Sequence, residues 1–281
     1  GKASIEIGEL ALPFALNNLY EGFGRNLRTN QELWQDRVVI HKSIGGTASY
    51  LFAQRLTGEP PGLLIFPGED TQWEFFTHAQ SSLSADFRWE GIPIVCIHSR
   101  ASVEREGWDE WANGHTSIVL EPGDSRSYQT RFVPADRDQH DNLAQTLSTL
   151  GKPAIRLLTA AVAPVEVGVA LEVSGVTPTR FFADKPVHTE TDADEEGGFC
   201  FVKPFEPGPL RLSFEDNQGG TSHTHLWFTE PIEALIKKRA DWILANQLYL
   251  NPGKAMDGAF LVANTRTKSL INPEDDFVGA A

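Results

Sequence analysis

At 281 residues the chain outruns one ordinary domain and can bury two cores, and with 41% hydrophobic and 22% charged residues at a mean hydropathy of -0.27 its composition is that of a soluble globular protein. A formal net charge of -14 and a pI of about 5.0 repel phosphate backbones and anionic lipid, which excludes nucleic acid and membrane surfaces as natural partners. No apolar run approaches the ~20 residues of a spanning helix, so no membrane segment is expected.

Residues 1–137 read as an antiparallel β-sandwich domain, with short apolar or alternating runs such as ASIEI, RVVIHKSI, ASYLFAQRL, GLLIF and IPIVCIH between Gly, Pro, Asn and Asp clusters. TSIVLEPGDSRSYQTRFV predicts a hairpin, because Pro122 presets φ and Gly123 accepts a positive φ between two strand-like arms. On the second arm Tyr128, Thr130 and Phe132 share one face at period two, with Gln129 and Arg131 on the other. Residues 138–152 change period. In DQHDNLAQTLSTL, Leu143, Leu147 and Leu150 recur at helical spacing, Asp138 or Asp141 can cap the start, and Gly151 and Pro153 end it, so a linker helix is predicted.

Residues 153–229 return to strands: IRLLTAAVAP, VGVALEV, TRFFAD, GFCFVKPF, LRLSFED and SHTHLWFTE, with turns at Gly175, Asp184, Gly197-Gly198 and Gly219-Gly220, predict a small Ig-like sandwich. The acidic TETDADEEGG reads as a solvated loop whose spacing matches no calcium-loop motif. Cys96 and Cys200 both sit inside apolar strand-like runs and read as buried free thiols.

Residues 230–281 break the β pattern. Thr229 or Glu230 is placed to cap a helix, Pro231 suits its first turn, and Ile232, Leu235, Ile236, Ala240, Ile243 and Gln247 lie along one side, with Trp242 widening the stripe. Five or six such apolar side chains are worth about 10 kcal/mol when buried. The run after residue 250, punctuated by Pro252, Gly253, Gly258 and Pro273, offers little to cover them. The stretch therefore reads as the start of a helical domain.

A β-sandwich, an Ig-like module and then PIEALIKKRADWILANQLY followed by DGAFL resembles the beginning of an (α/α)6 barrel. With IGELALPFALNN, SIGGTASYLFAQRLTG and TSIVLEPGDS, the order of parts is similar to the six-hairpin glycosidase-like proteins of bacteria and fungi that carry large N-terminal β domains. That resemblance implies the N-terminal portion of a glycoside hydrolase acting on a poly- or oligosaccharide. Its partners would be the carbohydrate substrate and the remainder of the same polypeptide, a helical barrel whose catalytic loops lie mostly beyond residue 281. The catalytic residues themselves stay unassigned, and the fragment alone is expected to be inactive.

Glycoside hydrolysis uses two carboxylates about 5 to 5.5 Å apart for retention or 6.5 to 9.5 Å for inversion. Asp257 in MDGAF, beside Gly258, and Asp275 and Asp276 in NPEDDF are the acidic candidates for substrate contact on the connection after the helix, with Phe260 as an apolar platform. The simpler reading makes Asp257 a turn carboxylate and the Asp275–Asp276 pair a solvated terminus. Trp108 and Trp111 in EGWDEWANGHT have the chemistry of a sugar-stacking platform beside Asp109 and Glu110, although sandwich aromatics commonly serve packing.

His223 and His225 alternate on one strand face and share the geometry of a metal pair, but no third ligand is spaced near them, so neither metal nor cofactor is expected. No phosphate-binding loop and no G-x-S-x-G elbow occurs. The competing reading is a non-catalytic carbohydrate-binding or scaffolding β-sandwich protein, with a metal-dependent cupin-like enzyme as a third. A secreted or periplasmic location is the expectation that accompanies the acidic balance.

Overall fold

A computed structural model of the chain describes residues 3–16, 30–80, 91–107, 113–135, 139–195, 197–264, 266–267 and 269–271. The molecule is mainly β, as the alternating patterns predict. Its first part runs β1 (Ile5–Ile7), β2 (Leu10–Pro13), α1 (Asn30–Asp36), β3 (Val38–Ser43), β4 (Tyr50–Arg55), β5 (Gly62–Pro67), β6 (Phe75–Gln80), β7 (Gly91–His98), α2 (Arg100–Glu106), β8 (Ile118–Leu120) and β9 (Thr130–Ala135), then α3 (Gln139–Thr149). One antiparallel sheet has the order β3-β4-β5-β9 and another the order β2-β7-β6, while β1 pairs with β8.

Alternation decides which layer each side chain serves. Leu51, Leu63 and Ile65 leave one face of the four-stranded sheet to meet Trp73, Val95 and Ile97, and Phe52, Leu64 and Phe66 leave the other. The second group is covered by Leu143, Ala144 and Leu147 of α3. The predicted linker helix is thus also a layer of this core.

One expectation fails here. TSIVLEPGDSRSYQTRFV is not a hairpin, because its arms β8 and β9 pair with β1 and β5 respectively. The Pro122-Gly123 turn does close, with Asp124 N donating to Glu121 O at 2.9 Å and Glu121 N to Asp124 Oδ2 at 3.1 Å. Burial then decides the second arm: β9 joins the sheet where Val133 and Ala135 pack beside Phe52 and Leu64.

The second sandwich comprises β10 (Ala154–Leu157), β11 (Val162–Pro164), β12 (Val169–Ser174), β13 (Pro178–Ala183), β14 (Val187–Ala193), β15 (Gly197–Pro204), β16 (Gly208–Asp216) and β17 (Thr221–Thr229). Two four-stranded sheets, β10-β12-β15-β14 and β11-β17-β16-β13, enclose Val169, Leu171, Cys200, Val202, Leu212 and Phe228. The acidic TETDADEEGG is not all loop. Thr189–Ala193 completes β14, an exposed edge strand whose charges discourage pairing with another chain.

The sandwiches meet along a polar seam. Gly45 O accepts from His223 N at 3.1 Å, Thr47 N donates to Thr221 O at 3.0 Å, and the hydroxyls of Thr47 and Ser222 lie 2.7 Å apart. Glycine is required at the contact: a Cβ on Gly45 would stand 2.1 Å from His223 O, and one on Gly46, whose φ is +66°, 2.1 Å from Thr221 O.

The helix α4 (Ile232–Asn246) forms where the stripe predicted it, but its cap differs. Pro231 occupies the cap position without a side-chain bond, and Glu166 Oε1 from another loop accepts from Ile232 N at 2.9 Å. No residue of α4 is buried, and of the predicted stripe Ile232 and Ile236 are more than half exposed at 55% and 64%. The neighbouring sheets therefore do not satisfy the stripe. Ile236→Glu is expected to change the stability of this chain by no more than about 0.5 kcal/mol in a urea titration. A loss of about 2 kcal/mol or more would mean that the stripe is packed in solution.

Candidate functional site

The local sequence around the end of β7 assembles a chain of polar groups behind an aromatic groove. Glu74 is buried, its backbone N donating to Cys96 O at 2.9 Å, and its carboxylate reaches the start of α2. Oε2 accepts from Ser99 N at 2.9 Å, Ser99 Oγ at 2.7 Å and Thr116 N at 3.0 Å, and Oε1 accepts from the Thr116 hydroxyl. A buried carboxylate needs donors of this kind, since unpaired it would carry a desolvation cost of several kcal/mol.

The direction of the remaining bonds follows from proton inventory. The Thr116 hydroxyl gives its single hydrogen to Glu74, so its oxygen accepts from His98 Nδ1 at 2.7 Å. That places the proton of a neutral His98 on Nδ1. Its Nε2 then accepts the phenol hydrogen of Tyr128 at 2.5 Å, the two rings meeting edge to face with centroids 5.5 Å apart. Tyr128 is thereby held by a relay that ends on a buried carboxylate.

Tyr128 lines a surface groove of about 460 Å³ together with Leu12, Phe14, Ile97 and Phe132. Phe14 and Phe132 meet edge-on with centroids 6.0 Å apart, and Phe132 is 56% exposed. The Arg126 guanidinium stands 5.8 Å from the Tyr128 ring centroid and donates to Asp70 O at 3.1 Å. An apolar, aromatic floor with a few fixed polar groups is the composition of a small-ligand site. Thiol chemistry does not belong to it: burial first, then the carboxylates of Glu9 and Glu74, push the Cys96 thiol up to about 11.

The residues expected to touch substrate lie elsewhere. Asp257 Oδ1 accepts from Asn251 N at 2.8 Å beside Gly258, whose φ is +81°, which is the geometry of the turn carboxylate. Phe260 pairs with Leu248 in an isolated bridge and is 60% exposed. Asp275, Asp276, Trp108 and Trp111 lie outside the described residues. Nothing in the spacing of Glu74, Thr116 and His98 along the sequence joins them. The shared face of Tyr128, Thr130 and Phe132 was the one visible signal, and it does mark the groove.

Fold and site together define a two-sandwich β protein with a surface aromatic groove. The chain belongs to the family of unknown function DUF5695, which it matches over residues 1–261. No curated protein matches it. Among solved structures it is similar to a polysaccharide lyase, with a TM-score of 0.69 and 20% sequence identity over 98% of this chain. At that identity the likeness is one of fold. The chain spans 37% of the length of that lyase.

Proposed function

We propose that this chain is the β-rich part of a carbohydrate-active enzyme acting on a poly- or oligosaccharide, with a helical barrel in the rest of the same polypeptide supplying most catalytic loops. The observation that carries the reading is the fold likeness to a polysaccharide lyase across 98% of this chain. The uncovered apolar stripe of α4 supports it, because a face worth about 10 kcal/mol when buried is matched by helices of a following domain. In this reading the groove of Tyr128 and Phe132 holds a stretch of glycan, its rings facing the C–H faces of the sugars.

Two reaction courses fit this frame. Hydrolysis, implied by the resemblance to six-hairpin glycosidases, protonates the glycosidic oxygen with one carboxyl and uses a second as base or nucleophile. Elimination is supported by the fold likeness to a polysaccharide lyase; on a uronate-containing glycan it leaves an unsaturated sugar at the new non-reducing end. Digestion of candidate polysaccharides by the natural full-length polypeptide separates them: hydrolysis adds a water to the product mass, whereas elimination adds none and creates ultraviolet absorbance. Binding without either product supports the non-catalytic alternative. Absence of both binding and cleavage across neutral and uronate-containing glycans overturns the proposal.

Phe132→Ala is expected to weaken glycan binding to this chain about tenfold, since an aromatic contact is worth about 0.5–1.5 kcal/mol beyond its area. Tyr128→Phe keeps the ring and loses the hydroxyl, so a smaller loss is expected. Titration calorimetry with the oligosaccharide that binds best reads both. Unchanged affinity in Phe132→Ala removes the groove from the glycan path.

A further inference from the structure

The seam between the sandwiches carries a second cluster that the groove does not use. His223 and His225 lie two positions apart on β17, so their rings leave the same face of the strand, with centroids 5.3 Å apart and planes at 75°. Both Nε2 atoms converge on one oxygen. Asn113 Oδ1, from the other sandwich, stands 2.9 Å from His223 Nε2 and 2.6 Å from His225 Nε2. The third donor that the sequence around the histidines lacks is thus supplied from 110 and 112 residues away.

We infer that His223, His225 and Asn113 form a binding site for a borderline divalent transition-metal ion of the zinc or nickel type, which staples the two sandwiches together. Two imidazole nitrogens and an amide oxygen are a donor set that suits such ions better than magnesium or calcium, which prefer all-oxygen cages. A tetrahedral ion about 2.0–2.1 Å from each donor holds its ligands about 3.3 Å from one another. The present nitrogen-to-oxygen separations fall short of that by roughly half an ångström, so a small withdrawal of the Asn113 amide opens the fork.

Both Nε2 atoms donate to Asn113 Oδ1, so an ion that binds there takes the place of two N–H hydrogens. Each ring moves its proton from Nε2 to Nδ1 as the ion enters, so none is released at neutral pH. The Arg211 charge opposes a cation here and Asp184, which acts on His225, offsets it. Affinity therefore rests on the nitrogen lone pairs, which selects against hard ions.

The test is calorimetric titration of the chelator-stripped chain with zinc chloride and, separately, magnesium chloride. About one equivalent of zinc is expected to bind and to raise the melting temperature, with no magnesium binding. Asn113→Ala is expected to weaken zinc about 10–100-fold while leaving the fold, checked by circular dichroism, intact. His223→Gln with His225→Gln abolishes the saturable heat. Cobalt substitution adds a visible spectrum that reports nitrogen ligation without any variant. Failure of folded wild-type chain to bind zinc, or equal binding by wild type and Asn113→Ala, overturns the assignment.

Discussion

Replacing Glu74 by alanine is expected to lower the unfolding free energy by about 3 kcal/mol, because it leaves the two donors of buried Ser99 without an acceptor and breaks the bonds of Thr116, which is exposed and can turn to water. Four donors lose their bonds at once: the backbone N–H and hydroxyl of Ser99 and the backbone N–H and hydroxyl of Thr116. Ser99 is fully buried at 0% exposure, so water cannot replace the carboxylate there. Glu74→Gln keeps the shape and one acceptor oxygen and should lose about half as much. Urea titration reads both.

A second readout separates the relay from general packing. With Glu74 absent, the Thr116 hydroxyl is free to donate, and His98 Nδ1 becomes the acceptor. The proton then sits on Nε2, facing Tyr128, and the imidazole nitrogen shifts of His98 exchange in a nitrogen-15 spectrum. A Glu74→Ala protein that is destabilised but keeps the His98 tautomer would show that the carboxylate only props up the start of α2.

The strands were legible because their signal is local. Alternation in GLLIF places Leu64 and Phe66 on one face and Ile65 on the other, and the structure sends them to separate cores. The partner of a strand is not local, which is why the arms of TSIVLEPGDSRSYQTRFV look like a hairpin in sequence and pair apart in the fold. The same distinction governs the site. Tyr128 and Phe132 carry a periodic mark, whereas Glu74 meets Thr116 across 42 residues and Asn113 meets His225 across 112. The first is made within one sandwich and the second between two, and neither leaves a spacing to count. The α4 stripe is the reverse case: its periodicity was plain, and the missing quantity was the surface it serves.

Lowering the pH from neutral is expected to destabilise the seam, through His223 above all. Burial and its charged neighbours hold this imidazole at about 4, against 6.5 for the free group. The unfolded chain therefore binds a proton first, and stability that is fully present above pH 6.5 is lost progressively as the pH falls toward 4. At about 1.36 kcal/mol per pH unit the ceiling for this one ring is about 3 kcal/mol, less whatever solvent screens from its exposed edge. His225, lowered for the same leading reason, adds loss of the same sign. Gly45→Ala tests the link between this titration and the seam. Its methyl group must displace His223 O, which stands 2.1 Å from the ideal Cβ position, so the strand carrying the histidine is forced off the first sandwich. The variant should be less stable than wild type at neutral pH by about 2 kcal/mol or more, and its stability should depend less on pH between 6.5 and 4 because His223 gains water. Carboxylates titrate in both proteins and cancel in the difference. Parallel stability curves for the two proteins over that range would place the acid sensitivity outside the seam.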